Sequence, residues 1–338
     1  MKLVRPIAIP TSSRPAISLT IALWVTLTMV ILASIALGYR QYWPSAIWKA
    51  IFAFDGSESA VVITTLRIPR ALLAPLVGAA LGVAGVLTQT LARNRIASPD
   101  TLGINAGAAL AVVASSVWFG VGSIAGMSVA AISGALATSL LVFGVAASSG
   151  GFSPIRIVLV GVTVGGLGYS IVQIILTTNE AQLKELLFWL TGSFADRPIS
   201  FAIGGAPVVL VGLIVAWMLA QPLDALQADD TTAANLGVPL AVVRWSGFLT
   251  VSLLTGASVC MAGPVGFVGF VVPHVARRFV GLGHRRLIIT SALIGAIYAT
   301  TADVLARFII YPAEAPVGAI TSTVGGIVLL ILLKRRVA

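Results

Sequence analysis

Ten apolar runs, each near the length a helix needs to cross a bilayer, constrain this chain more than any other feature. Crossing roughly 30 Å of hydrocarbon takes about 20 mainly apolar residues at 1.5 Å each. The runs are residues 17–38, 71–91, 102–120, 127–147, 157–176, 201–220, 245–263, 265–280, 287–304 and 317–333. They predict an all-α, polytopic membrane protein with about ten transmembrane helices, forming one domain over residues 1–338. Gly263-Pro264 divides the seventh run from the eighth, because proline and glycine together interrupt a helix. Only 9% of residues are charged, against roughly a quarter in a soluble domain. Low charge and high hydrophobicity also exclude disorder. The 34 glycines lack the three-residue period of collagen. The single cysteine, Cys260, allows no disulfide within the chain.

The first run follows a tail, residues 1–16, that carries Lys2, Arg5 and Arg14. Ser34-Ile35-Ala36 resembles a signal-peptidase site. The run is longer than the about 7–15 residues of a signal peptide's apolar region, so it reads as a retained helix. Placing this tail in the cytoplasm puts 14 of the 21 Lys and Arg residues inside, as the positive-inside rule requires. Ten crossings then return the C-terminus to the cytoplasm. Arg67, Arg70 and Arg307 fall on the external side. The +10 net charge is thereby a sign of topology, and nucleic acid is not an expected partner.

A short pattern recurs. Gly78-Ala79 followed by Ala84-Gly85 returns as Gly256-Ala257 followed by Ala262-Gly263. The copies lie five runs apart, so they cross in opposite directions, as the inverted-repeat halves of transporters do. Close packing of helices through small residues explains the same pattern. The chain carries no G-x-x-x-x-G-K-[ST] phosphate loop, and its two histidines, His274 and His284, form no metal-ligand cluster. No charged residue lies near the middle of an apolar run, where ion-coupled carriers place theirs. A transporter lacking both devices must borrow its source of energy.

Further residues carry a family resemblance. They are Leu66-Arg67-Ile68-Pro69-Arg70, the run from Asn94 through Ala97-Ser98-Pro99-Asp100-Thr101-Leu102-Gly103, and Gly263-Pro264-Val265-Gly266-Phe267-Val268-Gly269. Pro273-His274, His284-Arg285-Arg286-Leu287, Ala302-Asp303-Val304-Leu305-Ala306-Arg307 and Pro316-Val317-Gly318 follow in order. Over about residues 60 to 336 this string resembles the FecCD-type permeases, the membrane subunits of ABC importers for iron-siderophores, haem and cobalamin. The resemblance implies a subunit that is not itself an enzyme and holds no cofactor. It implies a second permease subunit, identical or paralogous, two ATPase subunits that bind ATP and magnesium, and an extracytoplasmic substrate-binding protein. It also implies a multi-pass location in the bacterial cytoplasmic membrane, in contact with lipid. The Ala97-Ser98-Pro99-Asp100 version is closest to members that carry ferric siderophores or ferric citrate, so ferric siderophore is the expected cargo, with haem, cobalamin and ferric citrate as alternatives. Arg95 and Ile96 stand where the family has proline and leucine. An ion-coupled secondary carrier is the competing class.

The resemblance implies three sites. Arg67, Arg70 and Arg307 would receive acidic residues of the binding protein, since a guanidinium binds a carboxylate with two parallel bonds. Snorkelling to the interface accounts for the same arginines without a partner. Asp303 lies four residues before Arg307, a favourable helical pairing, and at an exposed rim such pairs act mainly on encounter rate. On the cytoplasmic face, residues 223–239 form the longest polar stretch, resembling the coupling segment that fits a cleft on the ATPase. Asp229 and Asp230 start a helix there, and Ala233, Asn235, Leu236 and Gly237 lead to its end. Gly161, Gly165, Gly166 and Gly168 would line or gate the pathway, or else pack against static helices. Residues 183–189 resemble a short external helix, with Thr191-Gly192 near the outer mouth. Pro273-His274 matches a family motif, and with no partner ligands the lone histidine is expected to bond a helix end rather than a metal.

Overall fold

Each of the ten apolar runs folds as a helix. The computed structural model describes residues 14–38, 40–147, 154–178, 189–227, 230–310 and 313–337. In chain order, α1 (Arg14–Ala36) is followed by two short helices, α2 (Pro44–Phe52) and α3 (Glu58–Val62). One π-helical turn, Ile63–Arg67, leads into α4 (Ile68–Leu91). Then come α5 (Ile104–Phe119), α6 (Ile124–Ala147), α7 (Pro154–Thr177) and α8 (Ile199–Met218). Two short helices, α9 (Ala220–Leu226) and α10 (Asp230–Asn235), precede α11 (Leu240–Ala262), α12 (Val268–Val280), α13 (His284–Ile309) and α14 (Val317–Val337). The expected external helix at residues 183–189 lies outside the described residues except for Trp189, which is helical.

Among the described residues, seven helices are long and apolar enough to cross a membrane, and α5 and the apolar part of α14 are shorter. The tenth, α12, has only 13 residues, about 20 Å at 1.5 Å per residue. It is shorter than its apolar run because Gly263 (φ +72°) ends α11 and Phe267 (φ +65°) opens α12. At Gly263 a Cβ would lie 2.0 Å from the Trp189 carbonyl oxygen, so the break demands glycine in both conformation and space. The segment between α4 and α5 does not stay at the surface. It folds back into the bundle, where a Cβ on Gly103 would meet the backbone of Gly161 and Gly165 at 2.7–2.9 Å.

The core centres on α4 and α11, whose residues are buried on nearly every side. Apolar helices gain no hydrophobic advantage from meeting each other in lipid, so close packing of small residues holds them. Gly78 of α4 abuts Gly295 of α13, where an added Cβ would lie 2.1 Å from the Gly295 carbonyl oxygen. Gly85 meets Gly269 of α12 in the same way, and Gly256 of α11 meets the Ile132 backbone of α6. The recurring Gly-Ala pattern thus marks helix crossings. Its two copies also sit in equivalent settings. α4 and α11 run antiparallel, since the end of α4 (Arg93) and the start of α11 (Arg244) both reach Asp230. Each is followed by a broken segment and a shorter helix opened by a left-handed residue, Gly103 or Phe267. The halves repeat one pattern in opposite senses.

Candidate functional site

At the end where α1 finishes, the structure brings Arg67, Arg70 and Arg307 into one cluster. α1 leaves carbonyl groups without helical partners there, at the negative end of its dipole. Arg67 donates to the carbonyls of Ile35 (3.2 Å), Leu37 (2.5 Å) and Arg40 (2.7 Å). Arg307 donates to the carbonyls of Ser34 (2.6 Å) and Leu37 (2.9 Å). Gly38 makes room, because a Cβ at this position would lie 2.5 Å from the Arg67 guanidinium. Arg67 also lies over the Tyr42 ring, 5.1 Å from its centre.

Asp303 joins the other two arginines. It accepts from Arg70 Nε (3.2 Å) and Nη2 (2.8 Å), and its second oxygen pairs with Arg307 one turn along α13. Glu314 takes both bonds of a fork from Arg70 Nη1, at 2.9 and 2.7 Å. This corrects the expectation of arginines presented on an exposed rim. The three are 6–8% exposed and Asp303 is fully buried, so the guanidiniums are committed within the chain. Glu314 is the solvent-facing member, its side chain 39% exposed. Arg307 Nε stays buried without a partner.

At the opposite end, α9 and α10 form the expected short polar element. Asp230 opens α10 and is shared by two arginines. Arg93, after α4, donates to it at 2.5 Å, and Arg244, in the first turns of α11, donates to both oxygens at 2.7 Å. Burial pushes the Asp230 carboxyl upward, but the bonds and charges of Arg244 and Arg93 outweigh it and hold its pKa below the ordinary 3.8. Ala233 is buried, Asn235 is exposed and Leu236 is 69% exposed. Gly237 (φ +77°) terminates the element as expected of a helix-ending glycine. Asp229 lies outside the described residues. The element is also wired inward through His284, which is fully buried. Its Nδ1 lies 2.7 Å from Asp224 of α9 and its Nε2 lies 2.8 Å from the Thr90 hydroxyl of α4. The sequence marks His284 only as part of a motif.

Between the two ends, α7 separates its glycines by face. Gly161, Gly165 and Gly168 pack against Leu102, Gly103 and Ala106, while nothing comes within 4 Å of a Cβ on Gly166. The exposed face carries Thr163, Gly166, Ser170, Gln173 and Thr177, spaced three and four residues apart. A cavity of about 320 Å³ opens beside it, lined by Asp100, Tyr169, Thr191, Gly266 and Ser322 among others. Asp100 caps the start of α12 by accepting from the Phe267 backbone N–H at 3.0 Å, and Asn105 donates to its other oxygen. The turn before α5 therefore puts a carboxylate inside the bundle, which the apolar runs alone do not show. Thr191 borders this cavity, and the Gly318 N–H at the start of α14 donates to the Gly192 carbonyl at 3.1 Å. His274 Nδ1 donates to the Phe270 carbonyl of its own helix at 2.9 Å.

Known proteins resemble this chain in sequence and in fold. The Fe(3+)-citrate import system permease protein YfmD of Bacillus subtilis is 39% identical over 277 residues, covering 82% of each chain. The Fe(3+) dicitrate transport system permease protein FecD of Escherichia coli is 34% identical, over 82% of this chain and 87% of its own. A solved inward-facing structure assigned to the metal-chelate type of ABC transporter superposes with a TM-score of 0.81 at 27% identity, covering 94% of this chain and 99% of that one. The model of the FecCD transport family matches residues 26–335. With a bundle buried around α4 and α11, a polar element at one end and an arginine cluster at the other, this multi-pass membrane protein belongs to the FecCD transport family.

Proposed function

We propose that the chain is the membrane-spanning permease subunit of an ATP-driven ABC importer that moves a ferric siderophore inward by alternating access, in the cytoplasmic membrane of a bacterium. Ferric citrate, named for two of the relatives, is the nearest alternative cargo. A separate ATPase pair binds ATP and magnesium and supplies the energy. A second permease copy or paralogue completes the pathway, and an extracytoplasmic binding protein delivers the cargo.

The observation that carries this reading is the division of polar chemistry along the bundle. The exposed stripe on α7 (Thr163, Gly166, Ser170, Gln173, Thr177), set among exposed Leu159, Val162, Leu167 and Ile174, suits a water-filled path or a facing subunit. At one end of this path, α9 and α10 offer a small protruding element, with Leu236 exposed and Asp230 tying its base to α4 and α11. That is the form a contact to an ATPase requires, a knob whose displacement pulls directly on crossing helices. At the other end, Glu314 covers Arg70 from the solvent side. We infer that the acidic residue of a binding protein would take over this position, Glu314 acting as its internal stand-in. The positive-inside count supports a cytoplasmic position for the α9–α10 end.

The competing ion-coupled carrier needs a carboxylate that titrates in the pathway. Asp100 faces the cavity, but its bonds to Phe267 and Asn105 give it a capping task that needs no coupled ion. Purification of the chain from its native membrane in mild detergent, with mass spectrometry of everything retained, tests the class. An ATPase in about equal amount supports the importer, and a second permease beside it decides for a heterodimer. A chain that emerges alone from several gentle detergents, together with uptake that survives ATP depletion but collapses with an uncoupler, overturns the reading.

A further inference from the structure

A groove of about 720 Å³ runs along the outside of the bundle between α1, α4, α8 and α13, and its walls are apolar throughout. Its floor is set by small residues, Ala79, Ala202, Ala206, Ala292 and Ala296, which leave depth that larger side chains would fill. Along α8 it extends from Ala202 to Trp217, about 23 Å at 1.5 Å per residue. That exceeds half of an about 30 Å hydrocarbon core, so it accepts one extended acyl chain.

The groove ends in positive charge. At its Trp217 end, the Arg285 guanidinium lies 5.3 Å from the centre of the indole ring. On α13, Ile288, Ile289, Ala292 and Ala296 of the groove follow Arg285 at three, four, seven and eleven residues, which places the arginine on the same helical face. Arg286 stands beside it, and both are exposed. Among the described residues neither is in an ion pair. The acid on the neighbouring α9, Asp224, is engaged by His284, accepting from its backbone N–H at 2.9 Å and lying 2.7 Å from its Nδ1. An apolar slot that opens onto exposed cations with no ion pair among the described residues matches one class of molecule, an amphiphile with an anionic head.

We propose that this groove is a binding site for an acidic glycerophospholipid from the leaflet at the Arg285 end, with an acyl chain between α8 and α13 and its phosphate on Arg285 and Arg286. A second copy of the chain fits the groove less well. The polar stripe that calls for a facing subunit lies on α7, which packs against α5 and α6, whereas the groove is lined by α1, α4, α8 and α13. A lipid-filled groove would also hold α1, whose groove-facing Trp24 is 56% exposed, against the bundle.

Native mass spectrometry of the full chain, delipidated and then exposed to phosphatidylglycerol or phosphatidylcholine of equal chain length, tests the site without reference to transport. Phosphatidylglycerol is expected to be retained preferentially. Arg285→Gln with Arg286→Gln should lower that retention about tenfold or more, as expected for two surface arginines near an anionic head group. Ala292→Trp should reduce retention of both lipids while leaving the charges in place. As a second readout, phosphatidylglycerol with brominated acyl chains should quench Trp217 fluorescence in the native chain more than brominated phosphatidylcholine does, with Trp217→Phe giving the background. Equal retention of the two lipids, or unchanged retention in the double arginine variant, overturns the proposal. So does efficient cross-linking of two chains through Trp24→Cys, which would show that protein rather than lipid covers the groove.

Discussion

The two ends of the molecule use the same small device, one aspartate shared by two arginines, in opposite environments. Asp303 bridges Arg70 and Arg307, and side-chain exposure across the three is 0–9%. Asp230 bridges Arg93 and Arg244, with side-chain exposures of 42%, 38% and 16%. In the first triad the charges have left water, and every remaining donor must find a partner inside the protein. The carbonyls at the end of α1 and the carboxylate of Glu314 provide most of these. In the second, water serves as the alternative partner, so each bond is exchangeable at little cost. One triad is suited to fixing an end of the bundle, the other to holding an element that has to move.

Asp303→Asn breaks this comparison most severely. It leaves two buried guanidiniums without their shared countercharge, and removing one partner of a buried ion pair costs about 3–5 kcal/mol. Thermal unfolding in detergent should show a large fall in Tm or loss of folded protein. A near-native Tm would mean that the triad is hydrated and that the two ends do not differ in kind. Asp303→Asn combined with Arg70→Met and Arg307→Met separates the charge penalty from lost packing, since it should recover part of the stability.

Glu314→Gln sharpens the same end. Its fork to Arg70 is half exposed, so stability should change by no more than about 1 kcal/mol. If Glu314 stands in for a partner's carboxylate, the variant should bind the cognate extracytoplasmic protein several-fold more tightly at low salt, with the gain fading as salt rises and the Debye length shrinks to about 3 Å at 1 M. Unchanged binding at every salt concentration would remove Arg70 from the docking surface.

The sequence reveals these two ends unevenly. The helices are legible because ten long apolar runs have few alternatives in a bilayer, and the break at Gly263 is legible because glycine and proline mark it. The Asp303–Arg307 pair is legible as well, being one helical turn apart. The burial of the arginines is not. Glu314 lies 244 residues from Arg70 along the chain, and Arg93 lies 137 residues from Asp230, so no local pattern joins them. Arg67 hides better still, because its partners are backbone carbonyls that every residue carries. Asp100 escapes notice for a different reason. Its turn has the polar composition of a surface loop, and only the glycines facing it from α7 allow it to fold inward. The coupling residues Leu236 and Gly237 are readable by position, while the anchoring of their element by Asp230 and His284 needs the fold.

Asp230→Asn is the mildest change, and it bears directly on what the exposed triad does. Exposed pairs of this type contribute about 0–1 kcal/mol each, so Tm should fall slightly. The sign of the pH dependence is fixed by the lowered pKa of Asp230. A carboxyl whose folded pKa lies below its unfolded value stabilises above the unfolded value, and the contribution is lost as pH falls through the folded one. The native chain and the Asn variant should therefore differ at pH 7 and converge only below about pH 4. Stability is the smaller part of the expected effect. If the triad carries motion from α10 to α4 and α11, the assembled transporter bearing Asp230→Asn should hydrolyse ATP at a near-native rate while importing less cargo per ATP. Leu236→Arg, on the exposed knob, should give the same uncoupling with no change in Tm. Uptake and hydrolysis that fall together in Asp230→Asn would place the residue in assembly instead, and the exposed triad would then be a static anchor like its buried counterpart.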